Sequence, residues 1–254
     1  MMKRLLLIAV FLAVSSEVFA AISVGNTSNT TGISQEAVTS QTWSHTVAAT
    51  SNELVVVCGI TDDTDVDATD DIGIDSITYN TTETLTKRAQ QSSVSGGTDP
   101  EIHIWTRDAP STGAHNIVVS YKSGNTMKVA SCHAIDFGGV DQTTSQDVAA
   151  VTAADVGGGT VAQSITTATN GAMIVSAVTC KTVGTAVVDG TQTQIYETEV
   201  DGATNDIEVS SSYELKAAAG ADTQSFTGFG ADDATIASIA LRPAPEFEPS
   251  VVII

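Results

Sequence analysis

Short segments in which apolar residues recur at every second position run through this 254-residue chain. They are rich in Val, Ile, Thr and aromatic residues and are bounded by Gly, Asp, Asn and Ser, which is the pattern of half-buried β-strands. The predicted strands are residues 41–47, 53–61, 74–79, 84–90, 101–107, 115–121, 128–137, 160–165, 172–180, 192–199, 206–215, 223–229 and 235–241. The one helix-friendly stretch, 215–221, is long enough for at most one turn. The pattern therefore predicts an all-β protein.

The predicted strands fall into two sets that follow one plan. Residues 49–52 leading into 54–57 correspond to 168–170 leading into 173–175, residues 102–105 to 207–209, and residues 129–131 to 236–238. Two such sets would close face to face and bury one side of every strand. We therefore predict a two-sheet antiparallel β-sandwich, jelly-roll-like, that is an internal duplication of two half-sandwiches.

Residues 1–20 have the three parts of a secretory signal: a basic start, an apolar run at 5–14, and small residues up to a cleavage point after Ala20. Ten apolar residues are too few to cross a bilayer, which needs about 20. The expected product is a secreted or cell-surface chain with no membrane span. Residues 21–245 are expected to form one sandwich domain and 246–254 a tail. Within that domain, 21–40 is either an extra edge strand or a strand donated to a neighbouring subunit.

The formal net charge of the chain is −20. Nucleic acids and anionic membranes are bound through Lys and Arg, so this charge argues against both as partners. The expected partners are an extracellular glycan, a protein surface or copies of the chain itself.

The three cysteines, Cys58, Cys132 and Cys180, each lie in an apolar, strand-like run. An odd count in an exported chain allows at most one internal disulfide plus a thiol. The preferred interpretation is that all three are buried thiols that act as small hydrophobic side chains.

The densest group of candidate ligands is an acidic loop between two predicted strands. Asp63, Asp65, Asp67 and Asp71 take positions 1, 3, 5 and 9 of a helix-flanked calcium loop. The match fails at position 6, which lacks glycine, and at position 12, which lacks glutamate, and the flanks are predicted strands. The alternatives are a calcium site of another type, with calcium as the one expected cofactor, or a solvated acidic loop.

Other signals for chemistry are weak. Glycoside hydrolysis needs paired carboxylates, and the candidates are Glu101 with Glu197 or Glu199, and Glu208 with Glu214. Such residues are common on solvated sheet faces. The four histidines show no metal-ligand spacing. A Ser-His-Asp site is compatible with the sequence order, but there is no GxSxG elbow. No catalytic residue is therefore assigned.

Several phrases of the chain resemble a widespread, poorly characterised family of β-sandwich domains in secreted bacterial surface proteins and phage-associated proteins. They are WSHTV (43–47), LVVV (54–57), SITY (76–79), IHIW (102–105), FGGVDQT (137–143) and IALRP (239–243). The resemblance implies a lectin-like or jelly-roll sandwich used for surface structure or attachment. It supplies no catalytic residues.

The sequence thus favours a non-catalytic extracellular protein with a surface-structural or adhesive role. One alternative is a carbohydrate-binding module that uses exposed Trp105 and Tyr213 as its ligand-binding residues. Another is a self-assembling filament or coat subunit, and a third is a glycoside hydrolase.

If the acidic loop binds calcium, the cation relieves repulsion between its carboxylates, and the folded protein melts at a higher temperature in calcium than in chelator. Thermal melts of the natural chain and of a variant with Asp63, Asp65, Asp67 and Asp71 changed to Asn test this. Equal melting temperatures in calcium and chelator would rule the site out.

Overall fold

The computed structural model describes residues 19–32, 38–62, 73–93, 100–122, 127–155, 159–181, 184–200, 206–229 and 233–246. These residues form β-strands and contain no helix, which confirms the all-β class. The strands are β1 Ser23–Asn29, β2 Ser40–Val47, β3 Ser51–Asp62, β4 Ile74–Tyr79, β5 Glu83–Thr84, β6 Thr86–Ser92, β7 Pro100–Asp108, β8 Gly113–Tyr121, β9 Met127–Gly138, β10 Gln146–Asp155, β11 Thr160–Thr167, β12 Ala172–Cys180, β13 Val187–Val188, β14 Thr193–Val200, β15 Ile207–Lys216, β16 Gly220–Thr227 and β17 Ala234–Leu241.

The predicted strands all have counterparts, whereas β10 and β13 are missing from the prediction. β10 reads QDVAAVTAAD, and Ala and Asp are depleted in strands, so its composition hides it. The helix-friendly stretch 215–221 is instead the end of β15, a turn and the start of β16.

The strands pair into four antiparallel sheets with a repeated order. One five-stranded sheet has the order β1-β9-β3-β7-β6, and the other has β10-β17-β12-β15-β14. The smaller sheets are β2-β8-β4-β5 and β11-β16-β13. Apart from β5, which has no counterpart among the described strands of the second repeat, β10 onward repeats the connections of β1 to β9, so each repeat consists of one large and one small sheet.

The two large sheets pack against each other through a central core. Its members come from both repeats: Ile22, Val55, Val57, Ala89, Ile102, Ile104, Val129, Ile135, Phe137 and Val140 from the first, and Met173, Val175, Ala177, Val200, Ile207, Val209, Ala237, Ile239 and Leu241 from the second. Separate cores fill the space between large and small sheets within each repeat. The molecule is therefore a stack of four sheets with the small sheets outside.

This stack differs in layer number from the two-sheet prediction, although the antiparallel sandwich class is confirmed. Each repeat is a complete two-sheet sandwich, because its small sheet covers the second face of its large sheet. All nine residues of β12 and all eight of β17 are consequently buried. Alternating sequence patterns reveal one buried face per strand, and here the large sheets have two.

The segment after the predicted cleavage point forms β1, which pairs with β9 of the same chain at the edge of a large sheet. This is the arrangement of the extra-edge-strand alternative. Just before it, the Ala20 N–H donates to the carbonyl of Ala244 over 2.7 Å. Both ends of the described chain thus leave the stack at one place.

Cys58 and Cys132 form a disulfide, so the preferred interpretation of three thiols is wrong for this pair. They lie directly opposite each other in β3 and β9, with Cα atoms 4.2 Å apart. Cys180 keeps its thiol and is buried.

The second repeat has serines at the place of this disulfide. Ser176 in β12 lies directly opposite Ser238 in β17, and these strands hold the sheet positions of β3 and β9. The two Oγ atoms are 2.6 Å apart. Around them a hydrogen-bonded chain runs from the Gln163 amide through Ser238 and Ser176 to the Gln224 carbonyl oxygen. A polar chain in one repeat thus replaces a covalent bond in the other.

This equivalence predicts that the double variant Ser176→Cys/Ser238→Cys forms a second disulfide. The bridge contributes about 2–4 kcal/mol, but Gln163 and Gln224 lose partners at about 1–3 kcal/mol each. The readout is therefore the thiol count of the denatured, unreduced chain rather than the melting temperature. One thiol per chain is expected, and three would contradict the equivalence.

The matched control is Ala177→Cys/Ala237→Cys, the adjacent opposed pair. Consecutive antiparallel pairs alternate between close and wide spacing, and the side chains come nearer to each other in the close pairs, whereas a disulfide needs Cβ atoms about 3.5–4.5 Å apart. The control should therefore retain more thiol than the serine pair.

Candidate functional site

The predicted aromatic ligand-binding residues lie apart and are not an exposed platform. Trp105 is 7% exposed and belongs to the inner core of the first repeat. Tyr213 is half-buried against the central core in the second repeat. The prediction that Trp105 is exposed is wrong, because the small sheet covers the face of β7 that alternation assigns to solvent.

The five candidate carboxylates separate into three places. Glu101 is buried in the first repeat. Glu214 accepts from the Gln224 amide over 3.0 Å and lies 3.9 Å from the Lys216 ammonium. The remaining three, Glu197, Glu199 and Glu208, lie close together in β14 and β15.

Among those three, Glu208 is fully buried and accepts from the Ala186 N–H. Burial raises its pKa to about 7; the Ala186 hydrogen bond opposes this rise, and the charges of Glu197 and Glu199 add to it. A carboxylate sealed in this way holds the segment at Ala186 in place and does not face a polymer substrate.

Glu101 and His103 are a carboxyl group and an imidazole that lie close together in the buried interior of β7. Their Oε2 and Nε2 atoms are 3.1 Å apart, and both side chains are fully buried. The Gln90 amide donates to the other carboxylate oxygen of Glu101. The pair lies beside the disulfide, since His103 is the register partner of Cys58.

The predicted calcium ligands Asp63, Asp65, Asp67 and Asp71 lie outside the described residues. Within the described part of the chain, no three or more His, Cys, Asp and Glu side chains form a group that would hold a metal ion. The calcium site therefore stays a prediction.

The candidate functional site is a hydrogen-bonded chain of Ser28, His45 and Asp136. Ser28 Oγ lies 2.8 Å from His45 Nδ1, and His45 Nε2 lies 3.1 Å from Asp136 Oδ1. The three residues come from β1, β2 and β9, at the edge where the large and small sheets of the first repeat meet. His45 and Asp136 are buried, whereas Ser28 is partly exposed.

The proton positions in this chain follow from the chemistry of the groups. Trp43 Nε1, which can only donate, lies 3.0 Å from Ser28 Oγ, so this oxygen accepts from the indole. An ionised Asp136 can only accept, so His45 Nε2 carries the proton and Nδ1 presents a lone pair. The Ser28 hydroxyl then donates to Nδ1. This is the proton order of a serine nucleophile with a general base.

The ionised state of Asp136 has a clear cause. Burial alone would raise the pKa of this carboxyl. Hydrogen bonds from His45, Ser51 and the backbone N–H groups of Ala48 and Asn26 outweigh burial and hold the pKa below its ordinary value. The same bonds fix the orientation of the carboxylate that holds the imidazole.

Sequence reasoning missed this site because no local motif marks it. Ser28 lies in a polar, mostly exposed edge strand, and Asp136 lies more than 100 residues away. One signal was present: Asp136 interrupts the apolar run of β9, and a charged residue in a buried strand needs partners.

Two further polar groups lie buried beside the central core. His133 bonds to the Ser211 hydroxyl of the other repeat, and its ring centroid is 4.7 Å from that of Tyr196. Burial lowers the pKa of His133 to about 3, so its imidazole is neutral. Burial raises the pKa of Glu53 to about 9, and the nearby Asp108 adds to this rise. Both groups are thus held in their uncharged forms at neutral pH.

No protein-family model, curated protein or solved structure matches the chain. The resemblance to secreted surface domains therefore stays a prediction. In the described part of the chain, no helix has the length and apolarity needed to cross a membrane.

Replacing Glu53 with Gln should stabilise the protein increasingly as the pH rises. The folded state keeps the Glu53 proton up to about pH 9, whereas the unfolded chain releases it near pH 4.5. The stability contributed by the protonated carboxyl is full below pH 4.5 and is lost as pH rises towards 9. Gln mimics the protonated form at every pH, so the difference in unfolding free energy widens by up to about 1.4 kcal/mol per pH unit.

Urea unfolding at pH 5, 6.5 and 8 measures this difference, with the exposed Glu246→Gln as control. A Glu53→Gln difference that does not change with pH would contradict the assignment.

Proposed function

We propose that this chain is an extracellular β-sandwich protein with a surface-structural or adhesive role, and that the two outer faces of its stack make the contacts. The role does not depend on a deep pocket. It depends on what the small sheets present to solvent.

The observation that carries the proposal is the chemistry of these outer faces. In the described strands β2, β8, β11 and β16, the outward side chains are hydroxyls, methyl groups and one amide, and none is charged. They are Ser40, Thr42, Ser44, Thr46, Ala114, Asn116, Val118 and Ser120 in the first repeat, and Thr160, Ala162, Ser164, Thr166, Ala221, Thr223, Ser225 and Thr227 in the second. These four strands present no charge although the chain has a net charge of −20; on the neighbouring strand β4 of the first small sheet, Asp75 is exposed.

The register orders these side chains in rows. Ser164 lies opposite Thr223, and Ser44 opposite Asn116. Neighbouring strands are about 4.8 Å apart and alternate residues about 6.8 Å apart, so the hydroxyls form a two-dimensional array. Such an array suits a neutral partner that offers many repeated hydroxyl groups, as a polysaccharide does.

Two other features support an extracellular location. Residues 1–20 have the pattern of a secretory signal. The Cys58–Cys132 disulfide is of a kind that persists mainly in oxidising compartments.

A carbohydrate-binding module that stacks sugars on aromatic rings has less support. Trp105 is buried, and the outward residues of the four strands include no aromatic ring. Recognition by hydroxyl rows is the mode that the described surface favours.

Charges placed on the outer faces should abolish adsorption to a neutral solid polysaccharide, because each buried carboxylate would lose its water without gaining a partner. The test variant carries Thr42→Glu and Ser44→Glu in the first repeat with Ser164→Glu and Thr223→Glu in the second. The mature chain is mixed with microcrystalline cellulose, and the unbound fraction is measured. The natural chain should adsorb, and the variant should lose at least about 10-fold in affinity, or 1.4 kcal/mol.

The control adds charge away from both faces, with Thr193→Glu and Ala217→Glu, which are exposed in β14 and in the turn after β15. Equal adsorption of the test and control variants would contradict the proposal. Failure of the natural chain to adsorb would contradict it as well. Sedimentation velocity of the same samples shows whether the faces instead bind copies of the chain.

A further inference from the structure

We propose that Ser28, His45 and Asp136 form a nucleophilic site that accepts acyl groups from uncharged carboxylic esters. This activity is separate from the adhesive role and uses an edge of the first repeat rather than its outer face.

The first argument is geometric. A serine nucleophile needs a base within hydrogen-bond reach and a third group that orients the base. The Ser28–His45 distance of 2.8 Å and the His45–Asp136 distance of 3.1 Å meet both needs. The proton order deduced above leaves the His45 lone pair aimed at the Ser28 hydroxyl. His45 uses the ring nitrogens in the opposite sense to serine proteases, but each nitrogen has the required partner.

The second argument is that the fold does not require these residues. The second repeat has the same strand order and has the corresponding edge between β10 and β11. All four histidines of the chain lie at or before residue 133, so that edge contains no imidazole. The Ser28–His45–Asp136 chain is therefore an addition to one repeat and not a condition for building it.

The third argument concerns access and charge stabilisation. Ser28 is partly exposed, and its strand neighbours Thr27 and Asn29 are exposed. Trp43 Nε1 already reaches Ser28 Oγ over 3.0 Å. A carbonyl carbon bonded to Oγ brings its oxygen close to the same N–H, which can then stabilise the oxyanion. The strongly negative chain disfavours anionic substrates, so an uncharged ester is the expected class.

The reaction balances with these groups and water. Ser28 Oγ bonds to the ester carbonyl carbon while its proton passes to His45 Nδ1. The carbon–oxygen bond to the leaving alcohol breaks, and the alcohol takes the proton from Nδ1. Water then attacks the acyl-serine with His45 as base, which releases the carboxylic acid and restores the Ser28 hydroxyl.

A neutral fluorophosphonate probe tests the site. It reacts with activated serines, so the experiment does not require the natural acyl group to be known. The mature chain is incubated with the probe between pH 5 and 9, and peptide mass spectrometry locates the label. We expect one label per chain, on Ser28, with a rate that rises with pH, as expected of a nucleophile activated by a general base. The same sample should hydrolyse p-nitrophenyl acetate, and the probe should block this.

Single substitutions distinguish the roles of the nucleophile, the base, the orienting carboxylate and the oxyanion donor. Ser28→Ala should abolish labelling, and Ser23→Ala, an exposed serine of the same strand β1, should leave it unchanged. His45→Gln should slow labelling about 100-fold, as expected for loss of a general base. Asp136→Asn should also slow it, and Trp43→Phe should slow acylation without moving the pH profile. Thermal melts check that each variant folds.

Because His45 and Asp136 are buried, their variants can unfold, and the label position and pH profile of the natural chain then decide. Absence of label on Ser28 would overturn the proposal. So would labelling of Ser28 at equal rates from pH 5 to 9, or a folded His45→Gln variant that labels at the natural rate. The three residues would then be a structural connection between β1 and β2.

Discussion

The rest of the structure depends on the burial of both faces of two large sheets. Each sheet packs one face on its partner and the other on a small sheet. Apolar residues fill most of these positions, but the strands also carry polar side chains in their interiors. A buried polar group is costly unless it is hydrogen-bonded, and a buried charge is costlier still unless it is paired, so an unpaired titratable group takes its neutral form. The hydrogen bond between His45 and Asp136 and the neutral forms of Glu53 and His133 are consequences of this constraint.

The same constraint has two solutions in the two repeats. At the centre of the first repeat, Cys58 and Cys132 join adjacent strands covalently within an apolar core. At the equivalent place in the second, Ser176 and Ser238 belong to a chain of hydroxyls and amides that ends on Glu214. Strand order is therefore preserved where core chemistry is not, which fits a duplication held by backbone pairing rather than by particular side chains.

Much of the fold was accessible from the sequence, because strand position depends on local alternation. The exact bounds of Ile74–Tyr79 and Ala172–Cys180 illustrate this. The edge strand β10 was not accessible, since its alanines carry little strand preference. The number of layers was also hidden, because alternation does not say what covers the second face. The error at Trp105 follows directly from that gap.

The candidate site was beyond sequence reasoning for a related reason. Ser28, His45 and Asp136 meet only through the pairing of β1 with β9 and the approach of β2, which are contacts between distant parts of the chain. The outward residues of the small sheets were easier to predict. Strand β11, for example, reads TVAQSITT and alternates exposed with buried residues throughout. The alternation does not, however, indicate that this strand lies in an outermost layer.

The shared central core also bears on how the chain folds as it is made. Synthesis proceeds from the N-terminus, so β1 to β9 are complete at Gly138, while the sheet that covers their apolar inner face is finished only at Leu241. For the interval in which about one hundred residues are added, the first repeat presents Val55, Val57 and Ile104 to whatever is near. Until the second repeat is complete, this exposed apolar surface makes the chain prone to aggregation. Two such intermediates would be able to pack their exposed inner faces against each other, in the place that the second repeat of each chain normally occupies.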